Sequence, residues 1–297
     1  MADLVANTYN QATGMKDSFL DQMRLVAKDK TPLFTMLPTT SAVQRTHTWY
    51  YDVITTPNAQ NKAVEGSISD TDETADFTEG TNYCQIVKVE YAISGTQAAT
   101  DYKGIGNYVA YQKSRAMKSA AIATEYALTN GTGATGASAT AREMRGMAYW
   151  ATAQNAATGA ASAFGTSTGQ GVLDSVLKAI YEDGEEANMV LLSPTNKALI
   201  DGWSNKNTKY QDITKTTLTN LIDVYRSSFG TVEIVMSTVA GDTNVYAFDK
   251  ALLYVAYLRK FKSEDLAKTG DRIPFHVIGE MTMECRNPNG TGAVILS

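Results

Sequence analysis

Two cysteines, two histidines and six prolines among 297 residues leave little material for several common kinds of chemistry. Cys84 and Cys285 stand about 200 residues apart and could pair only if the fold brought them together. With so few cysteines, free thiols in a reducing compartment are expected. His47 and His276 each fall in an alternating, strand-like segment without a second ligand nearby, so a core or surface role is expected over metal binding. There is no G-x-S-x-G, no phosphate-loop lysine motif and no Cys-x-x-Cys, and Ser193 before Pro194 reads as a helix cap. No catalytic residue, cofactor-binding residue, cofactor or metal ligand is assigned, and the chain is not expected to be an enzyme.

Long apolar runs are missing too. The longest, Ala251–Leu258, is eight residues, whereas a membrane span needs ~20. The first eleven residues lack the basic and apolar regions of a signal peptide, so a cytosolic chain without N-terminal processing is expected. A net charge of −5 with no basic stripe argues against a dedicated nucleic-acid binder. Charged residues make up only 19%; Thr, Ser, Asn, Ala and 22 Gly take their place, a neutral surface suited to burial against copies of itself.

What is present is organised in blocks. Residues 1–40 look like an arm, with Phe19, Leu20, Met23 and Val26 on one helical face and Pro32 and Pro38 behind them. Strands are expected at Arg45–Ile54 and Ile86–Ile93 from their period-two alternation. Between them, Thr55–Gln85 is too long for an ordinary loop and too polar for a domain. Glu65, Asp70, Asp72, Glu73, Asp76 and Glu79 crowd its middle with no basic residue, which predicts an extended, solvated tip. A calcium loop around Asp70, Asp72 and Asp76 lacks the required Gly and Glu positions.

A helix is predicted over 103–129, with Ala116, Ala120, Ala123 and Ala127 as a close-packing stripe and Asn130-Gly131 as a left-handed stop. Its ~40 Å length suits a structural spine. Gly131, Gly133 and Gly136 spell G-x-G-x-x-G but follow a helix end, where the dipole is negative, so a flexible hinge is expected there and not a dinucleotide site. A second lobe then alternates: a helix at Val172–Glu182, a strand at Met189–Leu192 and a helix opened by Ser193-Pro194. Another helix is predicted through Leu218, Leu221, Ile222 and Tyr225, then strands at Val232–Met236, Val245–Arg259 and Phe275–Arg286. In the last strand Val277, Met281, Met283 and Cys285 share one face, and Glu280, Thr282 and Glu284 the other. The class is α+β.

The order of arm, ribbon, spine, α/β lobe and returning strands resembles the Hong Kong 97-type fold of tailed-phage major capsid proteins. Local wording narrows the resemblance to the SU10-like major capsid family: Tyr126–Gly131 (YALTNG), Arg145–Met147 (RGM), Asp265–Asp271 (DLAKTGD) and Gly279–Pro288 (GEMTMECRNP). The resemblance implies an N-terminal arm at 1–43 and an extended loop, a two-stranded ribbon, at 44–93. It implies a peripheral domain at 94–145 and 246–297 containing the spine 103–129, and an axial domain at 146–245. It further implies an icosahedral shell of pentamers and hexamers in the virion, assembled in the host cytoplasm around double-stranded DNA without specific binding. Portal and decoration partners follow, and no membrane. Many relatives carry a scaffolding segment ahead of the arm; about 40 residues precede the ribbon here, so a separate scaffolding protein is expected. Inter-subunit contact is expected at Phe19, Leu20, Met23, Val26, Trp49, Tyr50, Tyr51, Lys62, Glu65, Asp70, Asp72, Glu73 and Asp76. Some relatives crosslink Lys to Asn between subunits; no carboxylate catalyst can be assigned here, so no crosslink is predicted from Lys62. The competing readings are an encapsulin-like nanocompartment shell and, from another class, an α/β enzyme on the 146–245 lobe.

Overall fold

The computed structural model describes residues 30–52, 64–66, 77–100, 102, 105–205, 223–268 and 270–297. In chain order the elements are α1 (Pro32–Met36), β1 (Thr39–Ser41), β2 (Thr46–Tyr51), β3 (Thr78–Tyr83), β4 (Gln85–Ser94), α2 (Gly95–Ala99) and α3 (Tyr108–Asn130). Then come β5 (Thr132–Ala134), β6 (Glu143–Arg145), α4 (Met147–Ala153), β7 (Asn155–Gly159), α5 (Ser167–Glu182), β8 (Met189–Leu192) and α6 (Pro194–Asp201). The chain closes with β9 (Val224–Ser227), β10 (Gly230–Met236), β11 (Asn244–Phe248), β12 (Leu253–Asp265), β13 (Arg272–Cys285) and β14 (Thr291–Leu296).

The spine, α3, starts five residues later than its predicted beginning, where the Asn107 side chain accepts the Ala110 N–H at 3.0 Å. Gln112, Ala116, Ala120, Thr124 and Ala127 form its buried face. Ala123 of the expected stripe is exposed and Thr124 takes its place, its hydroxyl turned back onto the Ala120 carbonyl at 2.9 Å. With small side chains on that face, the helix axis can approach β4 and β13 closely. The helix does not end in a left-handed cap: Gly131 has φ −58°. Glycine is needed there for space, because a methyl would lie 2.3 Å from the Met144 carbonyl oxygen. The Gly-rich stretch expected to be a hinge is an ordered hairpin, in which Thr132 pairs with Arg145 and Ala134 with Glu143.

Two sheets carry the rest. A four-stranded sheet runs β1-β12-β13-β4, dominated by the long β12–β13 hairpin. A six-stranded sheet runs β7-β14-β11-β8-β10-β9. Within it β8 and β10 are parallel, as a strand–helix–strand unit requires, and α6 makes the crossover. Leu173, Val176, Leu177 and Ile180 of α5 bury against this sheet as their spacing predicted, while β8, read as an apolar run, is buried at all four positions. The expected strand Val245–Arg259 is two strands, because Asp249 ends β11 by accepting the Ala251 N–H at 3.0 Å and starting a turn. β14 belongs to the six-stranded sheet, paired to β11 and β7, although 246–297 was expected to lie with the other domain. Alternation identifies a strand but not the sheet it joins. Tyr225 lies in β9, not in a helix; Leu218, Leu221 and Ile222 of that prediction lie outside the described residues.

The ribbon also differs in its pairing. Thr46–Tyr51 pairs antiparallel with Thr78–Tyr83, whereas the strand expected at Ile86–Ile93 is β4 and pairs with β13. Cys84, buried between β3 and β4, accompanies the change of sheet.

Candidate assembly surface

The root of the ribbon is built on the acidic face of β13. Glu280, Thr282 and Glu284 are all buried there, covered by β2, β3 and the β5–β6 hairpin. Burying two carboxylates demands partners. Glu280 accepts from Arg142 Nη2 at 2.6 Å and meets Arg259 at 3.0 Å. Glu284 lies 3.0 Å from His47 Nε2 and 2.8 Å from Arg286 Nε. The His47 hydrogen bond, with Arg286 behind it, holds the Glu284 carboxyl below the usual carboxylate range.

Asn82 ties β3 to two other strands. Its amide donates to the Met283 carbonyl at 2.6 Å and the Arg145 carbonyl at 2.9 Å, and its oxygen accepts the Arg145 N–H at 2.8 Å. Arg145 then reaches the Thr81 carbonyl at 2.9 Å and lies 4.5 Å over the Tyr149 ring. Trp49 completes the joint, its ring 5.8 Å from that of Trp150 and its indole where a methyl on Gly80 would stand. The ribbon therefore leaves the body from a fixed root.

Of the predicted contact residues, Trp49 is buried in the chain's own core, Tyr51 is half-buried, and Tyr50 between them points out at 69% exposure. Glu65 lies in an exposed turn with Gly66, whose φ of +82° favours glycine. Phe19, Leu20, Met23, Val26, Lys62, Asp70, Asp72, Glu73 and Asp76 lie outside the described residues. Phe77, at 72% exposure, and Val43 at 82% are further large apolar side chains left bare on the ribbon and its approach.

Sequence reasoning missed Asn82, Arg145, Glu280 and Glu284 as a set, because residues distant in the chain satisfy one another. It also missed Glu125, a fully buried carboxylate on α3 that accepts the Leu33 and Phe34 N–H groups at 3.2 and 2.8 Å and the Ser237 hydroxyl at 3.1 Å. A lone acid near an alanine stripe was the available signal. Burial pushes its pKa up, and those three donors oppose the shift. The histidines meet carboxylates: His276 Nε2 lies 3.4 Å from Glu264. Both thiols are free and buried. Among the described residues no group of acids, histidines and cysteines could hold a metal, and no helix is long and apolar enough to cross a membrane.

The family model described as SU10 major capsid protein matches residues 4–296. No curated protein matches the chain. Among solved structures, one from Mycobacterium phage Bobi is similar at 12% identity and TM-score 0.66, covering 98% of this chain and 99% of that one. The capsid of a native GTA particle matches at 11% identity and TM-score 0.69, with 95% of each chain covered. The capsid of Cyanophage P-SCSP1u matches at 10% identity and TM-score 0.65, covering 98% of this chain and 96% of that one. At such identities the likeness speaks for the fold, which is the Hong Kong 97-type fold expected from the sequence.

Proposed function

We propose a division of labour among the parts of a shell subunit, from one premise: this chain belongs to the SU10 major capsid protein family and is a major capsid protein that forms the shell of a bacteriophage. Its family and fold are those of structural proteins, and the encapsulin-like and enzyme readings give way to that match. The chain works as a building block in this reading.

The observation that carries the assembly reading is a ribbon pinned at its root with two large rings, Tyr50 and Phe77, left bare on it. A two-stranded ribbon is marginal alone and gains stability by lying on another surface. Tyr50 and Tyr51, with Lys62, Glu65, Asp70, Asp72, Glu73 and Asp76, bear on a neighbour in this reading, as do Phe19, Leu20, Met23 and Val26 of the arm. At ~25 cal/mol per Å² of apolar area, a contact of a few hundred Å² contributes several kcal/mol before ordering costs. Repetition around closed symmetry turns such contacts into a stable shell.

The strand pairing supports trimming the ribbon to 44–84 and giving β4, α3, β12 and β13 to the peripheral domain. The six-stranded sheet with α5 and α6 is the axial domain, and it takes β14 with it. Copies gather in pentamers and hexamers in the host cytoplasm and enclose double-stranded DNA, which a chain of net charge −5 does not grip. Scaffolding, portal and decoration proteins are its partners on the strength of the family alone.

Tyr50→Asp combined with Phe77→Asp tests the reading. The yield of closed particles should collapse while the subunit's Tm stays within about 2 °C, as for exposed positions generally. A Tm loss matching the assembly loss would place both rings in the subunit's own stability and refute the proposal.

A further inference from the structure

The net charge of −5 is unevenly spread. Along α3 stand the cations Lys113, Arg115 and Lys118 and a single acid, Glu125, which is fully buried. Lys113 pairs with Asp265 at 2.8 Å. Arg115 and Lys118 are exposed and have no ion-pair partner among the described residues. They belong to a stripe, Tyr111, Arg115, Lys118, Ile122 and Tyr126, whose steps of four, three, four and four keep it on one side of the helix. Tyr126 projects from it at 62% exposure. The open side of the spine is therefore cationic, with no exposed carboxylate of its own.

The four-stranded sheet sets this side apart from the ribbon. α3 packs on the face of Val87, Phe275 and Val277, where Lys113 lies 5.8 Å over the Phe275 ring. The ribbon root covers the opposite face, at Glu280 and Glu284. Residues 65–79 of the ribbon contain six carboxylates and no lysine or arginine. A wall built of such subunits repels a polyanion from its ribbon side and attracts one to its spine side.

We propose that the exposed stripe of α3 is a sequence-independent contact for the enclosed double-stranded DNA, with Arg115 and Lys118 on its phosphates. This rests on the shell reading and deepens it by naming the residues that meet the genome. Arginine and lysine neutralise phosphate charge, and tyrosine hydroxyls such as those of Tyr111 and Tyr126 donate to phosphate oxygens. Two cations per copy place the contact at the weak end of non-specific binding, about 10⁻⁴ M. Repetition over the shell adds such contacts together while no single one holds the DNA fast. Charge also selects DNA over the arm as occupant, since residues 1–29 carry four acids and three bases.

Fluorescence anisotropy of a short labelled duplex of mixed sequence, titrated with the full unassembled chain, tests the inference. Binding should be equal for unrelated sequences and fall with salt at a log–log slope of about −2, roughly one for each cation. Arg115→Gln with Lys118→Gln should weaken binding at low salt by about tenfold or more and bring the slope close to zero, at an unchanged Tm. Lys260→Gln with Lys262→Gln, at two exposed lysines of β12, is the control and should change neither. Salt-insensitive or absent binding by the unmodified chain, or an equal loss in the control, overturns the inference. A peptide of residues 64–79 that binds the stripe where DNA does not would assign the face to an acidic protein segment and overturn it as well. Should the spine variant unfold, acetylation of the unmodified chain replaces it: DNA should shield Lys118 and leave Lys260 reactive, and an unshielded Lys118 overturns the contact. Light scattering reads shell formation separately. Shells from a chain without DNA binding overturn this inference alone, whereas a chain that never forms shells overturns the shell reading.

Discussion

Removing the Glu125 carboxylate should release the arm from the spine. Pro32 opens α1 without an N–H, Thr31 makes no side-chain cap, and the Leu33 and Phe34 amides fall in the first turn, where a helix has no internal acceptors. Glu125, 92 positions away from Leu33, caps that turn from α3. Glu125→Ala strands both amides and the Ser237 hydroxyl, and Leu33 is fully buried. Hydrogen bonds to a charged group are worth about 1.5–3 kcal/mol each, and relief of the buried charge offsets part of the loss. The net cost should be about 3 kcal/mol, or roughly 5 °C in Tm for a chain of this size. Glu125→Gln keeps one carbonyl acceptor and should cost about half as much.

The pH dependence has a definite sign. Burial raises the folded-state pKa of Glu125, so the folded chain binds that proton more tightly than the unfolded chain. The residue's contribution is greatest at and below the ordinary carboxylate range and shrinks as pH rises through the raised value; Glu125→Gln should abolish that slope. Calorimetry gives the Tm, and amide exchange reads Leu33 and Phe34 directly. A Glu125→Ala chain within about 1 °C of the unmodified Tm, with both amides still protected, would refute the capping role.

Glu284 should behave in the opposite sense. Its depressed pKa means stability present above the unfolded carboxylate value and lost as pH falls through the folded one, so Glu284→Gln should flatten the acid limb of a pH–Tm curve. Burial pushes Cys285 up to about 12 and Cys84 up to about 11, so neither thiol should react with iodoacetamide at neutral pH until the chain is unfolded. Leu173→Ala, on the buried face of α5, should cost about 2–5 kcal/mol by denaturant titration without freeing the ribbon root. Fast labelling of either native thiol, or a Leu173→Ala chain of unchanged midpoint, would contradict the packing described here.

Periodicity made the long elements legible. α5, β8, α6 and β13 lie close to where their apolar spacing and the Ser193-Pro194 cap put them, and α3 differs at its start by one turn and a little more. Signals that do not come from spacing were lost. β3 reads Thr-Glu-Gly-Thr-Asn-Tyr and has no alternating large residues; it is a strand because β2 pairs with it and Trp49 packs over Gly80. The burial of the acidic face of β13 left no mark in the spacing, because Arg142, Arg259 and His47, which meet its carboxylates, come from elsewhere in the chain and only Arg286 adjoins them. Gly131 was expected to supply a left-handed turn, whereas it supplies room for a carbonyl. The predicted contact residues divide likewise: Trp49 and Tyr50 adjoin in sequence, yet strand alternation sends one inward and the other outward.

A chain that builds closed shells shows it in the mass of its assemblies. Light scattering on a size-exclusion column, with electron micrographs of the early peak, should give closed particles weighing many tens of times the 32.1 kDa of one chain. A small, defined oligomer that stays small at every concentration and salt tried would contradict the account.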